Sequence, residues 1–404
     1  MKKNQFFGLM VALVIGALCF FFSACDDNEP LGVNSAAPVF NIEVFEQLVA
    51  DRINGLGNGN VPIGWAYVIN KDGQYYSSDA FGKARTAADP AAIDFSENKT
   101  LNVASVSKFF TAIAVMQLLE ERNLSLNAFV SPWLPPSFIQ GAGPGIVNGN
   151  TPGLTFRDLL THKSGLQSVN TNFPGTLCYT CMDNVIATGA TGDKSQRNYL
   201  NVNFSLFRVI IPALWRGLPG GPPANEELTD ANTQARYLEY MQKNVFTPSG
   251  VSSADCIGES PSVATIYYNA NDVNATGMPY GDWTALAGGG GYYLSAIEIA
   301  KVLAHFENTE TLVSNETRTL MRENRIGFDM PNSERERHGE YFGKNGSIVN
   351  NGKGVLLQTL SYPINHVELV VVMNTQGINF PNGNSLSDLM HRAYNDAWQA
   401  PKAK

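Results

Sequence analysis

Hydrophobic and polar residues follow two periods along the chain, which divide it into helical and strand-like segments. Apolar residues spaced three or four apart predict four helices, over residues 41–52, 102–121, 154–160 and 385–398. Runs of β-branched and aromatic residues predict a hairpin with an Asp-Gly turn and two late strands, over residues 63–69, 74–76, 354–360 and 367–373. The intervening residues 167–285 are rich in Gly, Asn and Pro and favour short helices. This order predicts an α+β fold: an antiparallel β-sheet from both chain ends flanked by helices, with an inserted mostly helical region.

The first residues have the pattern of an export signal. Lys2 and Lys3 give a positive start, an apolar run covers 6–22, and Ser-Ala precedes Cys25. The cysteine after small residues resembles the lipid attachment site of bacterial lipoproteins. The chain is therefore predicted to have three parts: a signal peptide at 1–24, a lipidated tether at 25–40 and a globular domain at 41–400.

The apolar run is also near the lower length limit of a membrane span, so an uncleaved anchor is the alternative. Either interpretation predicts an exported, membrane-anchored protein, on the periplasmic face or the outer surface. No second long apolar run follows in the sequence, so no other segment is expected to span a membrane.

Composition narrows the class of protein. Hydrophobic residues make up 44% and charged residues 16% of the 404-residue chain, which is typical of a globular domain with a large core. The net charge is -8 and no basic stripe is present, so nucleic acid is not an expected partner. Cys178 and Cys181 can close a small disulfide in an oxidising compartment. The five histidines lack metal-ligand spacing, and no metal is expected.

The first candidate for chemistry is Ser105-Val106-Ser107-Lys108. A serine and a lysine three residues apart share one face of a helix. A serine hydroxyl becomes a good nucleophile only when a base takes its proton. A lysine can be that base when burial or neighbouring positive charge lowers its pKa. The pattern predicts Ser105 as nucleophile and Lys108 as the nearest base.

Two further motifs complete the candidate site. Tyr199 can relay protons beside a lysine, and the amide of Asn201 can orient that lysine and hold a substrate carbonyl. Lys344 lies just before the last predicted strands and adds positive charge to the cleft. Gly346 would let a substrate backbone come close, and the amide of Ser347 would form an oxyanion hole with the amide of the nucleophile.

These motifs, in this order, resemble the serine β-lactamase and D-alanyl-D-alanine peptidase superfamily. The Y-x-N element is similar to that of the class C branch. Three longer stretches also resemble this branch, at residues 154–166, 199–206 and 287–295. The resemblance covers residues from about 41 to 400. The chain departs from the family pattern at Asn345, where threonine is usual, and at Leu200, where a small residue is usual.

The resemblance implies a β-lactamase/transpeptidase-like fold and acyl transfer through a covalent ester on Ser105, without a cofactor. The expected substrate is a β-lactam, a peptidoglycan or other D-amino-acid peptide, or an ester, and Lys344 favours one with a carboxylate. His162 is expected to be structural rather than a triad base. The alternatives are a catalytically silent, penicillin-binding-like surface protein that binds without turnover and a purely structural lipoprotein.

Overall fold

The computed structural model of the protein describes residues 37–56, 61–89, 91–167, 178–272, 274–332 and 335–399. The predicted signal peptide, Cys25 and the tether as far as residue 36 lie outside these ranges. Within them, no helix combines the length and the apolar character needed to cross a membrane.

Strands from both ends of the chain lie in one sheet. In chain order the strands are β1 (Val39–Phe40), β2 (Gly64–Lys71), β3 (Gln74–Arg85), β4 (Ile93–Asp94), β5 (Leu101–Asn102), β6 (Tyr268–Asn269), β7 (Tyr293–Leu294), β8 (Phe342–Asn350), β9 (Lys353–Tyr362), β10 (Val367–Met373), β11 (Thr375–Gln376) and β12 (Trp398–Gln399). The long strands lie side by side in the order β8, β9, β10, β2 and β3, each antiparallel to its neighbour. The predicted pairing of early with late strands is confirmed.

Helices cover the sheet and fill the middle of the chain. In chain order they are α1 (Ile42–Asn54), α2 (Ser107–Glu121), α3 (Pro136–Gln140), α4 (Phe156–Leu160), α5 (Tyr179–Thr188), α6 (Asn201–Ser205), α7 (Phe207–Trp215), α8 (Asp230–Met241), α9 (Ala296–Asn308), α10 (Asn315–Glu323) and α11 (Leu386–Asp396). Helices α3 to α8 all fall between β5 and β6 in the chain. They are the inserted helical region that the sequence predicts, and the α+β fold class is confirmed.

The central strand β2 is buried on both faces, which explains its nearly unbroken apolar sequence. Successive side chains of a strand point to opposite faces. Trp65, Tyr67 and Ile69 belong to the core that packs against α1 and α11. Ala66 and Val68 belong to the other core, which also contains α2, a helix buried on nearly all sides. The helix that follows the candidate nucleophile is therefore held inside this core, where it contacts α7 and α8.

The structure gives more detail at three places where the sequence made a local prediction. The helix expected over 102–121 begins only at Ser107, because Leu101–Asn102 is a strand and Ala104–Val106 is a tight 3-10 turn. Residues 344–347 were expected before the last strands, but they lie inside β8. Asn and Gly are poor strand formers, so the pattern does not reveal this strand. Cys178 and Cys181 are joined in a disulfide.

Candidate active site

Ser105 lies in a strained turn at the start of α2. The preceding residue, Ala104, has a φ of 49°, a left-handed conformation that costs a non-glycine residue about 1–3 kcal/mol. Two hydrogen bonds hold the turn in place: Ala104 N–H donates to Asn102 Oδ1 (2.9 Å) and Val103 N–H donates to Tyr292 O (2.8 Å). The turn positions Ser105 in the wall of an open cleft, with the amino end of the helix behind it.

Lys108 is completely buried one helical turn after Ser105. Its Nζ donates to Ser105 Oγ (3.1 Å), to Asn201 Oδ1 (2.9 Å) and to the carbonyl oxygen of Gly289. Burial lowers the pKa of Lys108, and the charge of Lys344 lowers it further. A lysine with a lowered pKa has access to the neutral amine form, which can accept a proton.

Tyr199 approaches Ser105 from the side of the helical region. The two hydroxyl oxygens are 3.0 Å apart and hydrogen-bonded. The tyrosine ring has Lys108 Nζ and Lys344 Nζ at 5.2 and 5.5 Å from its centre. Burial alone would raise the pKa of Tyr199, but the charges of Lys108 and Lys344 outweigh it and lower the pKa to about 8. Phenolate is therefore accessible near neutral pH.

His162 has a supporting position behind the tyrosine. Its ring centre is 4.3 Å from that of Tyr199, and its Nδ1 lies 3.1 Å from Asn203 Nδ2 and 3.4 Å from the backbone N–H of Leu200. Burial, together with the charges of Lys108 and other nearby cations, lowers the pKa of His162 well below its usual range. A neutral imidazole bonded to the loop before α6 fits a structural role.

Strand β8 brings the third motif alongside the nucleophile turn. Lys344 is buried, and its Nζ donates to Asp329 Oδ1 (2.5 Å) and to Asn345 Oδ1 (3.1 Å). A Cβ at position 346 would stand 2.1 Å from Leu357 Cδ1 and 2.8 Å from the carbonyl oxygen of Val103. The glycine thus permits the close approach of β8 to the nucleophile turn, a different reason from the substrate contact expected from the sequence.

The cleft itself has a volume of about 460 Å³. Ser105, Asn201 and Ser347 lie in its lining together with Gly289 and Gly290. The rest of the lining is mostly apolar and aromatic, with two polar residues, and is formed by Met278, Pro279, Tyr280, Asp282, Trp283, Leu286, Ile348, Val349 and Asn350. The cleft that holds the candidate nucleophile therefore also offers apolar surface to a substituent of a substrate.

The structure brings together all the residues singled out in the described ranges and adds others that sequence reasoning missed. Asp329, which pairs with Lys344, has no sequence signal, because an isolated aspartate in a loop resembles any surface residue. The carbonyl of Gly289 accepts a hydrogen bond from Lys108, and a backbone contact of this kind has no signal in the sequence. Within the described ranges no three potential metal-binding side chains come together.

Fold and site together are those of a serine hydrolase related to the penicillin-recognising enzymes. A sequence profile described as Beta-lactamase matches residues 45–384, and the chain belongs to this family. Membership of the family accounts for the fold, whereas the reaction and the substrate have to be argued from the site itself.

Comparison with individual proteins gives one partial sequence match and several shared folds. A stretch of 105 residues is 33% identical to esterase EstB of Burkholderia gladioli and covers 26% of this chain but only 24% of the esterase. The octameric penicillin-binding protein homologue of Pyrococcus abyssi matches 87% of this chain and 76% of its own, with 19% identity and a TM-score of 0.65. The β-lactamase/D-alanine carboxypeptidase of Yersinia pestis matches 88% of this chain and 99% of its own, with 14% identity and a TM-score of 0.62. At these identities the two structures show a shared fold.

Proposed function

We propose that the protein is a serine hydrolase that transfers acyl groups through a covalent ester on Ser105. One observation carries the proposal: Ser105 Oγ, in the wall of the cleft, is hydrogen-bonded to both Lys108 Nζ and the hydroxyl of Tyr199. Burial lowers the pKa of Lys108, and the charges of Lys108 and Lys344 lower the pKa of Tyr199 to about 8, so the pair can take up one proton from the serine. A nucleophile with a base in contact is the arrangement that covalent catalysis requires.

In the proposed acylation step, Ser105 Oγ attacks the substrate carbonyl carbon and gives its proton to the pair formed by Lys108 and Tyr199. The backbone amides of Ser105 and Ser347 donate to the carbonyl oxygen as it becomes negative. The bond to the leaving group then breaks, and Tyr199 returns the proton to the departing oxygen or nitrogen. In the second half, water loses a proton to the same pair, attacks the ester and regenerates Ser105.

In this mechanism Asn201 positions Lys108 and the substrate. Its Oδ1 accepts a hydrogen bond from Lys108, which fixes the ammonium beside the nucleophile. Its amide group lies in the lining of the cleft and is available to a substrate carbonyl. The apolar wall around Tyr280 and Trp283 suits a substrate with an apolar acyl group. Substrates compatible with this site are D-amino-acid peptides, β-lactams and simple esters.

The pH dependence of hydrolysis tests the role of Tyr199. Because the base form is the active one, kcat/KM for a neutral p-nitrophenyl ester is expected to rise with pH and to level off above pH 8. Each pH unit below the pKa lowers the reactive fraction tenfold, so the value at pH 6 should be about 100-fold below the plateau. Tyr199→Phe should lower the plateau and remove the inflection near 8. An unchanged profile in this variant would exclude Tyr199 as the titrating base.

We also propose that the mature protein is exported and anchored through a lipid on Cys25. The support is the charged start, the apolar run and the small residues before this cysteine. Bacteria that express the protein should incorporate labelled palmitate into the full chain but not into the variant Cys25→Ser. The proposed anchor would be refuted if the Cys25→Ser variant were still labelled with palmitate. It would also be refuted if the full chain were recovered unlabelled and entirely in the soluble fraction.

A further inference from the structure

Lys344 already has a carboxylate partner inside the protein. Its Nζ is 2.5 Å from Asp329 Oδ1 and 3.1 Å from Asn345 Oδ1. The other oxygen, Asp329 Oδ2, accepts the backbone N–H of Asn345 at 2.6 Å. Asp329 is therefore held through both oxygens, and two of the three donors of the ammonium are used within the chain.

The two members of this pair differ in what they present to solvent. The side chain of Lys344 is 3% exposed, whereas that of Asp329 is 32% exposed. A group that approaches the pair from solvent consequently meets the carboxylate first. A negatively charged substrate group placed there would face a like charge, and its attraction to Lys344 would be largely cancelled.

We propose that Asp329 is a built-in counter-ion of Lys344 that selects against substrates with a carboxylate on the leaving group. Neutral esters and amides are then the preferred substrates, and β-lactams or peptides with a free terminal carboxylate are poor ones. This inference rests on the proposed function, since it requires acyl transfer at Ser105. It reverses the sequence-based expectation that Lys344 favours substrates with a carboxylate. Asp329 acts through Lys344 and is a positioning residue.

Arg197 offers a rival position for a substrate carboxylate. Its guanidinium carbon is 5.5 Å from the centre of the Tyr199 ring, on the same side of the site as His162 and Lys344. If Arg197 captured the carboxylate, charged substrates would be preferred and the state of Asp329 would have little influence. The two arrangements therefore give opposite results in one experiment.

The experiment uses two aryl esters of N-acetyl-D-alanine that differ only in the leaving group, 3-hydroxybenzamide or 3-hydroxybenzoate. Values of kcat/KM are divided by the uncatalysed hydrolysis rates to remove differences in intrinsic reactivity. The wild-type protein should prefer the neutral ester by about tenfold or more, and Asp329→Asn should shift the ratio toward the charged ester by a similar factor. A wild-type preference for the charged ester, or a ratio that Asp329→Asn leaves unchanged, would overturn the proposal.

Asp94→Asn is the matched control. Asp94 is an exposed carboxylate that pairs with Lys83 between β3 and β4, outside the cleft lining. This substitution removes the same charge from a lysine pair and should leave the ratio between the two esters unchanged. The ratio does not depend on the folded fraction, so partial unfolding of a variant does not affect it. If Asp329→Asn fails to fold, the ratio between the two esters is measured in Asp329→Ser and compared with that of the wild type.

The pH profile of kcat/KM is a second readout of the proposal. A substitution of Asp329 would not change it if this residue had only a structural role. The charge of Lys344 helps to lower the pKa of Tyr199, and Asp329 pairs with that charge. Asp329→Asn leaves the charge of Lys344 uncompensated and should therefore move the inflection of the profile for the neutral ester to lower pH, whereas Asp94→Asn should not. If both esters are hydrolysed in a reaction that depends on Ser105 but the charged ester is preferred, this inference is wrong and the proposed function stands. If neither ester is hydrolysed, the proposed function fails and the inference fails with it.

Discussion

Replacing Ser105 with alanine is expected to lower kcat/KM for a neutral p-nitrophenyl ester by at least about 10⁴-fold, because the hydroxyl that forms the acyl ester is lost. The residual rate would come from binding and from the oxyanion donors alone. Loss of the hydroxyl leaves the turn at Ala104–Val106 intact, since its hydrogen bonds come from backbone groups and Asn102. The thermal midpoint should therefore stay close to that of the wild type.

Ser107→Ala provides the matched control for this measurement. Ser107 is buried two residues further along, and its hydroxyl accepts the backbone N–H of Tyr292 at 3.2 Å. Its removal costs one buried hydrogen bond, about 1 kcal/mol, but no reactive group. Activity within about tenfold of the wild type is expected. Comparable activities for Ser105→Ala and the wild type would show that another residue carries the reaction.

The second large effect is expected for Lys108→Met, which keeps an unbranched side chain and removes the amine. A general base contributes about 10²–10⁴-fold, and Lys108 also lowers the pKa of Tyr199, so a loss of about 10³-fold or more is predicted. Without that charge, the inflection of the pH profile should move to higher pH. Lys108→Arg should not restore activity, because a guanidinium remains protonated and cannot accept a proton.

Lys71→Met serves as the control for the loss of a lysine. Lys71 pairs with the exposed Asp72 at the end of β2 and lies outside the cleft. Its substitution should leave both kcat/KM and the pH profile unchanged. If Lys108→Met retained activity within tenfold of the wild type, the assignment of Lys108 as part of the base would be wrong.

The sequence was sufficient for the architecture because the decisive elements have strong local patterns. Val367–Met373 is apolar except for Glu368 and forms β10 as predicted. The helix predicted over 154–160 forms as α4, and the side chain of its N-cap residue, Thr155, accepts the N–H of Asp158 in a capping box. Such signals depend on neighbours in sequence, so one chain is enough to recognise them.

These local patterns do not predict tertiary interactions. Strand β8 contains Asn345 and Gly346, and its place in the sheet is set by pairing with β9 along its whole length. The pair of Asp329 and Lys344 joins residues fifteen positions apart through a loop with no regular period. Ser105, Lys108, Tyr199 and Lys344 were found because they occur in motifs, whereas Asp329 and the carbonyl of Gly289 become visible only in three dimensions.

Mass spectrometry of the soluble domain after treatment with a fluorophosphonate tests directly whether Ser105 is the nucleophile. This reagent phosphonylates activated serine hydroxyls and needs no carboxylate, so the pair of Lys344 and Asp329 does not affect its use. We expect one adduct per chain, located on the peptide that contains Ser105, and no adduct in Ser105→Ala. The absence of an adduct in the folded wild-type protein, or an adduct that persists in Ser105→Ala, would contradict the assignment of Ser105 as the nucleophile.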